Sequence, residues 1–149
     1  GGEPVADITV RSAPLKGIRI PEELVPLAID EFPALFIAAA CAEGETVLTG
    51  AGELRVKESD RISVMAEGLE RIGIDAQPTP DGIRIRGGMI RGGRVHSHSD
   101  HRIAMSFAIA ALRAREPIVI DDCANVNTSF PGFVELARAC GMSIDVERD

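Results

Sequence analysis

The sequence predicts an α/β fold, and three observations point there. Short segments with apolar residues at alternate positions are interspersed with segments whose apolar residues recur every three or four positions. Residues 34–42 form an Ala-rich run that is apolar on every side, a pattern expected of a helix enclosed by other elements. The same order of elements then returns about 70 residues further along the chain.

Taken in order, residues 1–4 read as an irregular start, and residues 7–10 alternate as a strand. Residues 11–26 carry Pro14, Pro21 and Pro26 and have room only for short extended pieces, such as 17–20. Pro33 suits the first turn of the enclosed helix, Gly44 closes it, and 45–48 reads as a strand. A short apolar-basic run at 54–56 then breaks into a charged cluster at 57–61, read as a strand-to-helix junction. Ser59 is the expected N-cap and Asp60 suits the first turn. Ile62, Met65, Leu69 and Ile72 follow at helical spacing, with the helix running to Arg71 and stopping at Gly73. Segments 74–77 and 82–86 read as strands joined by a turn through Pro78, Pro80, Asp81 and Gly82. Residues 87–93 form a glycine-rich loop.

The second pass opens with a helix from near Asp100 through Ile103, Phe107, Ala108, Ala111 and Leu112. A strand at 117–120, a loop at 121–129, a helix at 131–139 ending at Gly141 and a strand at 143–146 complete it. Asp30 and Asp100 each begin an apolar helix, 46–48 parallels 118–120, and 69–73 parallels 136–141. The expectation is two repeat units, about 5–90 and 91–149, that bury each other's faces.

Composition narrows the function classes. The chain has 149 residues, 45% of them hydrophobic, with no Trp or Tyr and five Phe, so its core must be aliphatic and Ala-rich. A net charge of −7 argues against nucleic acid or an anionic membrane as a partner, while leaving a small anionic substrate open. No basic region precedes an apolar run at the start, and no apolar stretch has the length of a bilayer span. Cys41, Cys123 and Cys140 fit no disulfide framework or CxxC metal site. Cys41 and Cys140 are expected as buried thiols and Cys123 as a loop residue, in a reducing cytoplasm.

The charged cluster Lys57-Glu58-Ser59-Asp60-Arg61 has two readings. One is a solvated ion-pair face. The other is an anion site, where unpaired N–H groups and the helix dipole add to the charge of Lys57 and Arg61. Asp30 is likewise either a helix cap or a functional carboxylate. Residues His96, His98, Asp100 and His101 resemble the HxHxDH zinc motif of metallo-β-lactamase-like hydrolases. These are the only three His of the chain, however, and an apolar helix follows at once in place of that family's glycine turn. No metal is expected.

Four ordered motifs carry a more specific resemblance: Ile29-Asp30-Glu31-Phe32-Pro33, Leu54 to Arg61 (LRVKESDR), Asp100 to Met105 (DHRIAM) and Thr128-Ser129-Phe130-Pro131. With them the chain, from about Val5 to Val146, resembles the 5-enolpyruvylshikimate-3-phosphate synthase family. The resemblance implies an inside-out α/β barrel domain with about two of its three units present, forming the C-terminal portion of a longer enzyme. It implies transfer of the enolpyruvyl group of phosphoenolpyruvate to the 5-hydroxyl of shikimate 3-phosphate, with no cofactor. Asp30 would bind the shikimate ring and serve as base, and Lys57 would contact both substrates. Arg61, Arg102 and Thr128 would lie at phosphoenolpyruvate, and His101 near the reacting carbon. Proton transfer falls to Glu58 or Lys57. Thr128 stands where many members carry Lys. The rest of the enzyme is the implied partner, and the chain alone is expected to be inactive. A UDP-N-acetylglucosamine enolpyruvyl transferase-like enzyme, which lacks the KESDR motif, and a non-catalytic binding module are the alternatives.

Overall fold

The computed structural model describes residues 2–147. Five strands and five α-helices are interspersed along them. They are α1 (Phe32–Ala40), β1 (Glu45–Leu48), α2 (Arg61–Arg71), β2 (Asp75–Thr79), β3 (Gly82–Arg86), β4 (Gly93–His96), α3 (His101–Ala110), β5 (Ile118–Asp121), α4 (Val126–Ser129) and α5 (Phe133–Ala139). Strands β1, β3 and β2 form an antiparallel sheet in that order, and β4 and β5 pair in parallel. Helices α1 and α3 pack on each other, α1 and α2 against the antiparallel sheet, and α3 against β5. One core joins these layers through Phe36, Leu48, Ile62, Met65, Leu69, Ile85, Val95 and Phe107.

The helical spacing of 62–72 is what makes α2 amphipathic: Ile62, Met65, Leu69 and Ile72 are all fully buried. Its end is a Schellman motif. Gly73 takes φ +92°, its N–H reaches Glu70 O at 3.0 Å, and Ile74 N–H reaches Leu69 O at 2.9 Å. The same pair of bonds closes α5, at Gly141 and Met142.

Several expectations are corrected. Residues 7–10 and 143–146 form no strand, because neither segment has a neighbouring edge to pair with among the described residues. Residues 17–20 do lie along β1, through isolated bridges Lys16–Glu43 and Arg19–Val47. The run before the charged cluster is a 3-10 helix, Gly52–Val56, so the cluster joins two helices rather than a strand and a helix. Ser59 does not cap α2. Asp60 does, accepting from Ser63 N–H at 3.0 Å. Residues 93–96, unassigned or read as loop, form β4 and place His96 on a strand. The loop at 121–129 contains α4. Cys140 is exposed and Cys41 only half-buried.

Helix α1 is not enclosed on every side. Phe32, Phe36 and Ala40 are buried, but Leu35 is 42% exposed. On α3, Ile109 is similarly open, and Leu112 lies open just beyond it. An apolar hollow of about 270 Å³ runs beside α1, lined by Ile18, Ile20, Leu24, Phe32 and Leu35.

Candidate functional site

Three helix starts converge. Asp30 lies in the 3-10 turn Ile29–Glu31 that leads into α1, Arg61 is the first residue of α2, and Arg102 the second of α3. At the centre is the Arg61 guanidinium, which is completely buried. Its Nε donates to Asp100 Oδ2 at 2.8 Å, Nη1 to Asp30 Oδ1 at 3.0 Å and Nη2 to Glu58 Oε2 at 2.6 Å. This burial removes the solvated-face reading for Arg61. The cap reading for Asp30 falls as well, since the α1 N-cap is Glu31 and no side chain caps there.

The other cations ring the same carboxylates. Lys57 Nζ lies 3.7 Å from Asp30 Oδ1 and donates to Glu53 Oε1 at 2.5 Å. Arg102 Nη1 donates to the Asp30 backbone oxygen at 3.0 Å and approaches Glu31 Oε1 at 3.4 Å, while Nη2 stands 4.0 Å from Asp30 Oδ2. Beside Asp30, Glu31 and Arg102 opens a hollow of about 170 Å³, floored by Pro33, Ile37, Met105 and Ile109.

The electrostatics follow from these contacts. Burial opposes the charge of Asp30, but the Arg61 hydrogen bond with Lys57 and Arg102 nearby outweighs it and holds the pKa below the ordinary 3.8. The hydrogen bond to Glu53 raises Lys57, against partial desolvation and with help from Asp30. Desolvation lowers Arg61, yet Asp100, Glu58 and Asp30 together carry it above its ordinary value. Every cation of the cluster is engaged by a carboxylate of the chain itself.

Asp100 and Ser59 are members that sequence reasoning did not place in the site. Asp100 is wholly buried, and Ser59 Oγ donates to its Oδ2 at 3.0 Å. The Asp at the start of an apolar helix was the available signal, and its distance along the chain from Arg61 hid the pairing. Two expected residues are joined to the cluster by no side-chain hydrogen bond or ion pair among the described residues. His101 begins α3 without a side-chain hydrogen bond, and Thr128 sits exposed on α4, its backbone N–H bonded to Asn125 O at 3.1 Å.

The zinc motif is taken apart by the same geometry. Both Asp100 oxygens are engaged by Arg61, Ser59 and the α3 N-terminus. The His96 ring lies against that of His98 at a tilt of 54°, centroids 4.5 Å apart, and its Nδ1 accepts the His98 N–H. Among the described residues no three His, Cys, Asp or Glu are grouped to hold a metal ion. No helix among them is long and apolar enough to cross a membrane.

An antiparallel sheet and a parallel strand pair packed on helices, whose first turns gather guanidinium and carboxylate groups, define the protein as one of the α/β class. The family model of EPSP synthase (3-phosphoshikimate 1-carboxyvinyltransferase) matches residues 2–136. The chain belongs to the EPSP synthase family, and its fold is that of an enolpyruvyl transferase domain in part. It is 74% identical over 145 residues to the 3-phosphoshikimate 1-carboxyvinyltransferase of Alkalilimnicola ehrlichii, covering 97% of this chain and 32% of the relative. Identity to the enzyme of the same name from Halorhodospira halophila is 72% over 148 residues, covering 99% of this chain and 33% of the relative. The solved EPSP synthase of Acinetobacter baumannii superposes with a TM-score of 0.88 at 61% identity, over 91% of this chain and 32% of that one. The chain therefore spans about a third of the length of the curated relatives it matches.

Proposed function

We propose that the chain is the C-terminal portion of an enzyme that transfers the enolpyruvyl group of phosphoenolpyruvate to the 5-hydroxyl of shikimate 3-phosphate, releasing phosphate. The observation that carries the reading is the convergence of Arg61, Lys57 and Arg102 on Asp30, with Glu58 on the buried Arg61. The names of the relatives at 72–74% identity support it.

The reaction needs a base at the attacking hydroxyl, an acid for the methylene carbon and cations about two anionic substrates. Asp30 is the base in this reading: it is ionised, half-exposed and beside the open hollow. Either Glu58 or Lys57 is the proton donor. Arg61 and Arg102 form the clamp for phosphoenolpyruvate, the guanidinium fork suiting carboxylate and phosphate oxygens. His101 and Thr128 complete that side, Thr128 with a hydroxyl in place of a cation. The remaining two-thirds of the relatives' length stands for the rest of the enzyme, which supplies further substrate contacts. In this reading residues of about 5–90 and 91–149 are two repeat units, and the protein acts in the cytoplasm without a cofactor.

A phosphate-release assay on these 149 residues should show negligible turnover, and titration with phosphoenolpyruvate should show binding that Arg61→Ala abolishes. Equal binding by both proteins, or by neither, would overturn the site assignment. A second reading, a non-catalytic anion-binding module, is favoured by the one-third coverage; turnover restored by adding the missing part of the chain would exclude it.

A further inference from the structure

We infer that Asp100 is a positioning residue that locks Arg61 and Arg102 into one anion-facing pair. The inference rests on the reading that these two cations hold phosphoenolpyruvate. Asp100 reaches no open surface itself, being 0% exposed. It acts through both oxygens at once. Oδ2 accepts from Arg61 Nε at 2.8 Å and from Ser59 Oγ at 3.0 Å. Oδ1 accepts the backbone N–H groups of Arg102 at 3.0 Å and Ile103 at 3.4 Å. One carboxylate thereby ties the first turn of α2 to the first turn of α3.

The arrangement does more than cap a helix. Capping α3 requires only a neutral acceptor, which Asn or Ser supplies equally well. The additional feature here is a charged oxygen placed against a guanidinium, both wholly buried. Fixing Arg61 at Nε leaves one rotational setting of the fork, with Nη1 and Nη2 directed outward to Asp30 and Glu58. Fixing the amide of Arg102 sets where that side chain leaves α3 and brings its Nη1 to the Asp30 backbone oxygen. Ser59 completes the lock. Its hydroxyl caps nothing in α2, where Asp60 has that part, and is spent instead on Oδ2 of Asp100.

The test uses the 149-residue chain with Asp100→Asn and Ser59→Ala. Asp100→Asn keeps the side-chain volume and an oxygen to cap α3 but removes the charge facing Arg61. The readouts are hydrogen-exchange protection of the Arg61 Nε–H by NMR and titration with phosphoenolpyruvate, beside thermal melts. Loss of a charge-assisted bond should cut the protection and the affinity by about tenfold or more in Asp100→Asn. Ser59→Ala should shift the same Arg61 signal less. A folded Asp100→Asn protein that keeps Arg61 protection, or binds as tightly as the parent, overturns the inference. Should Asp100→Asn fail to fold, Ser59→Ala decides: a displaced Arg61 signal supports the lock and an unmoved one overturns it. Absence of binding by the parent would count against the functional reading alone, because the Arg61 signal is read without ligand and still decides the lock.

Discussion

The ring of Phe107, on α3, fills the space that a side chain on Gly68, in the middle of α2, would need. A glycine inside a helix costs about 1 kcal/mol against alanine, and here that cost is matched to a close approach between two helices. Gly68→Ala gains the helical propensity but drives a methyl group into a ring that is itself fully buried. Overpacking of this kind costs about 1–3 kcal/mol. The variant should therefore be less stable than the parent by up to about 2 kcal/mol, read from the urea midpoint. A more stable variant would mean that Phe107 gives way easily.

Asp60, not Ser59, holds the N-terminus of α2, and it also accepts from Arg55 at 2.6 Å. Asp60→Ala should cost about 1 kcal/mol in the same experiment. Ser59→Ala should leave α2 capped, so the ordering of the two variants tests which residue is the cap.

Arg61→Ala leaves Asp100 buried without its cation. The expected loss is about 3–5 kcal/mol of stability, the cost of orphaning one member of a buried ion pair. Arg61→Lys should recover little, since a single ammonium cannot address three carboxylates in three directions. Thermal denaturation of both variants checks this.

Acid should weaken the fold through Asp30 and Asp60, whose native pKa values lie below the ordinary 3.8. At Asp60 burial works the other way, and the Ser63 and Arg55 contacts prevail. An unfolded chain then binds more protons than the native one as pH falls past 3.8. The contribution is whole above that value and is lost as pH drops through the native values. Both side chains are more than a third open to water, 47% and 36%, so each contributes less than about 1 kcal/mol. Asp30→Asn and Asp60→Asn should flatten the dependence of the urea midpoint below pH 3.8.

The three thiols should react unequally. Cys123 and Cys140 are exposed, whereas burial raises the pKa of Cys41 and outweighs nearby Arg113. A chromogenic disulfide should therefore titrate two thiols quickly and one slowly in the native state. Three equal rates would contradict the half-buried setting of Cys41.

Helices α1, α2 and α3 were legible because each carries an apolar face or run long enough to outvote local accidents. Strand β4 was not. Its four residues Gly93 to His96 include one buried apolar side chain, Val95, and their order comes from pairing with β5. The converse held at 7–10 and 143–146, where alternation is present and a partner edge is not. Pattern predicts a strand's faces, while pairing decides its existence. In the cluster, Asp30, Lys57, Glu58, Arg61 and Arg102 were legible as motif residues. The enclosure of Arg61 and the part of Asp100 were not, since the two lie 39 residues apart and meet only when α2 and α3 pack.

Under the proposed function, the engagement of every clustered cation by the chain's own acids makes loading a substrate an exchange rather than an addition. In that reading an arriving anion displaces Glu58, Glu53 or Asp30 from its counter-ion.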